Sequence, residues 1–260
     1  MELFIKGINK PRLNYIEHDI VSHCNLNCNG CTHFSPLANP WFEDIDDFRN
    51  DFTQLSRLFN INTIRIMGGE PLLHPEVGEF LIIARQLFPI SRINLVTNGI
   101  LLQQNKELIK IINENKIIIS ITDYGILDIK KQLIGIDKYI ITNRNEMYNI
   151  SFDLYGQQDA VFTRFHCPAT HCTYIQNGKV YVCASAAKIN IFNTCFNKHI
   201  PESDGISIYE HTAKEIQQYL DGVDKLCCYC NVKKQQQTYH PFTQSEKNIQ
   251  EWIEHDNNNI

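Results

Sequence analysis

Between residues 15 and 155, short runs rich in isoleucine and valine alternate with longer stretches whose apolar residues recur every three to four positions. That is the pattern of successive strand–helix units building a parallel sheet covered by helices. The runs predict strands over 15–21, 62–67, 93–97, 117–122 and 138–142, with a sixth over 150–154. Helices are predicted over 44–59, 76–88, 106–115 and 127–133, the first carrying Ile45, Phe48, Phe52, Leu55 and Phe59 on one face. Alternate strand residues face opposite sides. Ile119 and Ile121 therefore pack under helices, while Ser120, Thr122 and Tyr124 turn inward, as do Asn94, Val96 and Asn98 one strand earlier. Polar side chains inside a barrel need a hydrogen-bond partner or a ligand. Parallel barrels hold ligands at the C-terminal strand ends, where Asn98 and Ser120 fall.

Beyond residue 160 the strand–helix alternation stops. Asn177-Gly178, between Tyr174-Ile175 and Val180-Tyr181-Val182, is a two-residue hairpin signal. Thr243 with Glu246 reads as a capping box opening a helix whose Ile249, Trp252 and Ile253 form one apolar face for docking, before a terminal DNNNI that frays. The expected fold is α/β: a partial parallel (βα)5-6 barrel over 1–160, a small β-hairpin/helix domain over 161–235, and a C-terminal helix and tail over 236–260.

Composition narrows the class without naming a function. A chain of 260 residues with 43% hydrophobic and 20% charged residues can bury one substantial core, and a net charge of -5 offers no basic face for nucleic acid. No segment reaches the roughly 18 uninterrupted apolar residues of a membrane span, and the N-terminus lacks a secretion signal, so a cytoplasmic protein is expected. Ten cysteines in a reducing compartment point to metal or redox chemistry rather than disulfides.

Cys24, Cys28 and Cys31 stand as C-x-x-x-C-x-x-C in HCNLNCNGCTHF. Three thiolates on one loop suit a cubane that keeps one iron free of protein ligands, whereas ordinary cubane carriers use four cysteines. Met67-Gly68-Gly69-Glu70-Pro71 follows the isoleucine-rich strand as a strand-to-loop transition should. Together the two motifs resemble the radical S-adenosylmethionine (SAM) superfamily. The resemblance implies a [4Fe-4S] cluster on the three cysteines, SAM bound to its unique iron, and Gly68, Gly69 and Glu70 beside the SAM amino group. It also implies Asn98 and Ser120 toward the ribose and carboxylate. The family's aromatic residue before the third cysteine is replaced by Gly30, which leaves His33 or Phe34 to contact the adenine.

A second cysteine set follows. Ten residues separate Cys167 from Gly178 and four separate Gly178 from Cys183, with Cys227 and Cys230 in LCCYC further on. This resembles the twitch domain of radical SAM dehydrogenases, implying a second, auxiliary [4Fe-4S] cluster on Cys167, Cys183, Cys227 and Cys230. Four cysteines in two pairs also suit tetrahedral zinc, which stays open as the alternative. Cys172, Cys195 and Cys228 are left over; Cys172 competes with Cys167 as a ligand, and Cys195 is a hydrogen-atom donor if the reaction is an epimerisation.

The layout is similar to that of 2-deoxy-scyllo-inosamine dehydrogenases and of uncharacterised radical SAM proteins of sugar pathways. It implies a 5'-deoxyadenosyl radical that abstracts hydrogen from a sugar, nucleotide-sugar or aminocyclitol, with alcohol oxidation and the auxiliary cluster as electron acceptor. A flavodoxin- or ferredoxin-type protein is the implied electron donor, with no nucleic-acid or membrane partner. Only residues 1–14 precede the first strand, which favours a small substrate over a peptide held through a leader-binding domain. A peptide maturase, a sugar epimerase or dehydratase, and a non-enzymatic metal-binding module are the other readings. Tyr124, Arg144 and Arg164, at or near the open strand ends, are the candidates for proton transfer or substrate binding. The histidines His33, His74, His166 and His171 are not assigned as metal ligands.

Overall fold

The computed structural model describes residues 10–143, 151–235 and 242–253. Five parallel strands, β1 (Arg12–Asp19), β2 (Asn60–Met67), β3 (Arg92–Thr97), β4 (Ile118–Asp123) and β5 (Tyr139–Asn143), form the barrel wall. Helices α1 (Ile45–Leu58), α2 (Val77–Leu87), α3 (Lys106–Glu114) and the short α4 (Ile129–Gln132) connect them. Asp44 caps α1 by accepting from the backbone N–H groups of Asp46 and Asp47, and the predicted stripe is the face that packs: Phe48, Phe52 and Leu55 are fully buried. At about 1.5–3 kcal/mol per fully buried large apolar side chain, that face alone anchors the helix. Asn105 caps α3 in the same way, accepting from Leu108 N–H.

The wall does not continue through a sixth strand at its far end. Ile150 lies outside the described residues, and Phe152 makes only isolated bridges to Cys230 and Ile253. Instead the sheet extends on the other side of β1, in the order β5-β4-β3-β2-β1-β6-β7-β8, with β6 (Tyr174–Gln176), β7 (Lys179–Tyr181) and β8 (Ile206–Ser207). β6 pairs in parallel with β1 and then antiparallel with β7. Asn177 (φ 51°) and Gly178 (φ 68°) both adopt the left-handed region that the tight hairpin requires. The turn is stitched to the barrel by α1: Gly178 N–H donates to Asp51 Oδ2 (2.7 Å), and the Tyr209 hydroxyl donates to Asp51 Oδ1 (2.6 Å).

Two apolar cores result. The larger lies between the sheet and α1–α3 and takes in Ile175, Val180 and Ile208 from beyond the barrel. The smaller gathers Phe34, Phe152 and Trp252 around Ile189 and Phe192 of α6 (Ala184–Phe196), which follows α5 (Ala160–His166). Trp252 docks as expected, but no helix opens at Thr243. The capping box forms at Asn248 and Glu251 instead, on a 3-10 turn over Ile249–Glu251. Among the described residues no helix is long and apolar enough to cross a membrane.

Candidate active site

The cysteine loop and the Gly-Gly-Glu-Pro loop leave the C-terminal ends of β1 and β2 and lie backbone against backbone. Gly69 N–H donates to Val21 O (2.8 Å) and Glu70 N–H to His23 O (3.0 Å). Only glycine permits this approach: a Cβ on Gly68 would lie 2.3 Å from Val21 O, and one on Gly69 2.0 Å from His23 O. Neither motif is therefore placed independently of the other.

Glu70 is buried and its carboxylate turns toward β3. It accepts from Leu72 N–H (3.0 Å), Thr97 Oγ1 (2.6 Å) and Asn98 N–H (2.8 Å), which ties the loop to the neighbouring strand end. Burial pushes its acid constant up to about 7 against the pull of these three donors. Asn98 stands over the cysteines: its amide donates to Asn25 Oδ1 (2.7 Å) and lies 3.8 Å from Cys24 Sγ. Burial likewise pushes the Cys24 thiol up to about 11.

Tyr124, at the end of β4, reaches the same loop. Its hydroxyl hydrogen-bonds the Cys28 thiol and lies within electrostatic range of Cys31 and Cys24. Burial, then the thiols, raise it well above the ordinary tyrosine value, so it holds its proton. Ser120 sits one step inward and accepts from Asn94 Nδ2 (3.2 Å).

Two expected residues, Phe34 and Arg164, stand elsewhere. Phe34 is fully buried in the smaller core against Phe152, Phe192 and Trp252, so its ring cannot face an adenine. Arg164 donates through its guanidinium nitrogens to the carbonyls of Thr170 (2.5 Å), Gly222 (3.2 Å) and Leu220 (2.7 Å), which makes it a clamp on the backbone rather than a proton carrier. Arg144 lies outside the described residues. Cys195 is exposed on α6.

The thiols of the second cysteine set lie within electrostatic range of one another. Burial raises the Cys183 and Cys230 thiols, and the charges of Cys167, Cys227 and Asp224 add to it. Cys183 is itself the N-cap of α6, with its sulfur accepting from Ala186 N–H (3.4 Å). Cys172 lies toward Glu17 and Arg65 and within electrostatic range of Cys167, with its thiol pushed up to about 12 by burial and then by Glu17. Among the described residues no three His, Cys, Asp or Glu groups converge tightly enough for a single metal ion. A cubane spreads its ligands more widely than one tetrahedral ion does.

Beside the expected Asn94, the inner face of the sheet carries charged groups that were not anticipated. Glu17, Arg65 and Asn94 stand abreast on β1, β2 and β3, with Tyr174 of β6 on the far side of Glu17. Arg65 donates to the Tyr15 hydroxyl (2.8 Å), which itself donates to Glu17, and the Arg65–Glu17 separation is 3.7 Å. One step toward the cysteines, fully buried Asp19 accepts from Lys188 of α6 and bonds His33 Nδ1 (2.9 Å). Burial pushes the Asp19 carboxyl up, but His33 and Lys188 outweigh it and hold it ionised. Inward register on β1 was the available signal, since Tyr15, Glu17 and Asp19 alternate with the helix-facing Ile16 and His18. A cleft of about 900 Å³ lined by Asn62, Thr63, Arg92 and Lys138 opens at the opposite strand ends, away from every cysteine.

Residues 20–127 match the profile of the radical SAM superfamily, a span that contains the Cys24–Cys28–Cys31 and Gly68–Gly69–Glu70 motifs with Asn98 and Tyr124. These residues carry a radical SAM domain. The cofactors of that family are a [4Fe-4S] cluster and SAM, and a loop of three soft thiolate donors fits the cluster. The radical SAM barrel is also the fold shared with the crystal structure of BtrN in complex with AdoMet and 2-DOIA. That match has a TM-score of 0.53 at 16% identity, covering 90% of this chain and 100% of BtrN. The GTP 3',8-cyclase of Alkaliphilus oremlandii is 29% identical over 119 residues, 45% of this chain and 37% of the cyclase. That of Chlorobaculum tepidum is 30% identical over 92 residues, 35% and 28% of the two chains. The chain thus spans about a third of the length of the curated relatives it matches.

Proposed function

We propose that this radical SAM enzyme removes a hydrogen atom from a small polar substrate, a sugar, nucleotide-sugar or aminocyclitol, and oxidises one of its alcohols. The observation that carries the reading is the polar inner face between the two cysteine sets: Tyr15, Glu17, Arg65, Asn94 and Ser120. When bound, the cluster and SAM supply a 5'-deoxyadenosyl radical as hydrogen-atom acceptor, and an auxiliary cluster supplies an acceptor for the remaining electron. Cys24, Cys28 and Cys31 would hold the first cluster, and Cys167, Cys183, Cys227 and Cys230 the second.

The protein's own part is orientation. Glu17 compensates the Arg65 charge, so this face offers paired donors and acceptors rather than net charge, which suits neutral hydroxyl groups better than a phosphate. Asn98 and Glu70 lock the cysteine loop to β3, and Tyr124, keeping its proton, serves as a donor and not as the general base. The cyclase relatives keep a nucleotide substrate as the second reading, since they are named for GTP chemistry and match within the barrel.

The test is anaerobic reconstitution followed by 5'-deoxyadenosine release against a panel of sugars, aminocyclitols, GTP and peptides. Wild type is expected to bind about eight irons and Cys230→Ser about four, with turnover stimulated by a polyol. Four irons in both proteins would remove the auxiliary cluster, and stimulation by peptide or GTP alone would remove the substrate class.

A further inference from the structure

The loop from Cys24 to Cys31 has no helix or strand of its own, and it passes through the left-handed region at Asn27 (φ 49°) and Gly30 (φ 63°). Its order therefore comes from what holds it. One side is held by the Gly-Gly-Glu-Pro loop and Asn98. The other side is held by a segment more than 200 positions away in sequence. Asn29 N–H donates to Thr243 O (2.9 Å), Ser245 N–H donates to Asn27 O (2.7 Å), and Cys28 bridges Gln244 in antiparallel register. Further along the same segment, the Trp252 indole N–H donates to the Cys31 carbonyl (3.0 Å), which also accepts from Phe34 N–H (3.0 Å).

We propose that residues 242–253 act as a strap that positions the cluster-binding thiolates, with Trp252 as its anchor. The strap touches every stretch between the cysteines: Asn27 and Asn29 lie between the first and third ligands, and Cys28 and Cys31 are contacted directly. It is fixed at both ends. Trp252 is fully buried against Phe34 and Phe196, and its carbonyl accepts from Phe152 N–H (2.7 Å). At the other end the Phe242 ring lies edge-on to Tyr124, 5.4 Å between centroids, and Tyr124 hydrogen-bonds Cys28. These bonds are backbone and indole contacts that use no thiol, so they hold the loop independently of the cysteine sulfurs. Trp252 is thus a positioning residue, acting on the cofactor through the Cys31 carbonyl and not touching substrate.

The substitution that tests this is Trp252→Phe, which keeps an aromatic ring in the core and deletes the N–H. In cluster-free protein, amide hydrogen exchange of peptides spanning 25–31 is expected to rise about fivefold, the equivalent of one net hydrogen bond, while peptides from β2–β4 stay unchanged. After reconstitution, the SAM-sensitive EPR signal of the reduced cluster is expected to decay about fivefold faster under an iron chelator. Phe242→Leu, at the half-buried end, repeats the test without disturbing the core and is expected to loosen the same peptides. Unchanged exchange over 25–31 overturns the proposal. So does a rise spread equally over β2–β4, because Trp252 would then be a core residue only. A wild type that never gains the EPR signal is a failure of cluster binding and is read apart from the exchange result.

Discussion

Gly69→Ala isolates the contact that joins the two motifs. The added methyl would sit 2.0 Å from the His23 carbonyl oxygen and 2.9 Å from Cys24 N, both backbone atoms with no rotamer to escape through. The loops must separate, and that stretches the Gly69–Val21 (2.8 Å) and Glu70–His23 (3.0 Å) hydrogen bonds. Two net hydrogen bonds at about 1 kcal/mol each, with about 1–3 kcal/mol for overpacking, give a loss of about 3–5 kcal/mol. Gly78→Ala is the control, because its Cβ meets side-chain atoms only, the nearest being Ile111 Cδ1 (2.8 Å) at the far end of a flexible side chain, and lies in a helix where alanine is favoured. Urea unfolding of the cluster-free proteins, under reductant and followed by circular dichroism, should place Gly78→Ala within about 1 kcal/mol of wild type. Gly69→Ala should unfold at much lower urea and bind less iron at the first cysteine set. A Gly69→Ala protein as stable as wild type would refute the reasoning, since the two loops would then have slack that the backbone distances deny.

Lys188→Met leaves Asp19 fully buried with His33 alone and should cost about 3–5 kcal/mol in urea unfolding. Asp19→Asn with Lys188→Met should recover part of that loss, and equal losses in the two proteins would count against a buried charge as the cause. For His18, burial lowers the pKa but the Glu43 carboxylate, 3.5 Å from Nε2, raises it by more, to a folded value above the ordinary 6.5. A raised histidine stabilises fully below pH 6.5 and loses that contribution as pH rises through the folded value. The stability difference between wild type and Glu43→Gln should therefore shrink on going from pH 6 to above the folded value, and a pH-independent difference would refute the pairing.

What the sequence made legible was whatever depends on neighbours along the chain. The apolar stripe of α1, the inward turn of Asn94 and Ser120, and the Asn177-Gly178 hairpin follow from periodicity and backbone sterics, and the structure has them. The misread elements are those where a distant partner overrides a local signal. Thr243 has the residues of a helix cap, but its carbonyl accepts from Asn29 N–H, and an extended strap along the cysteine loop replaces the helical turn. The stretch around Phe152 alternates like a strand, yet its N–H donates to Trp252 O (2.7 Å) and not to a barrel neighbour. Phe34 and Arg164 failed for a related reason: a motif fixes a residue's place in the chain but not the direction of its side chain, and both turned into the packing that surrounds the site. The groups around the cysteines that escaped notice, Lys188 on Asp19 and Trp252 on Cys31, lie 169 and 221 positions from their partners. Cys24, Cys28 and Cys31 share one short loop, so they leave a pattern. The residues that hold such a loop in shape need only meet it in space, and it is this second group that a strap such as 242–253 supplies.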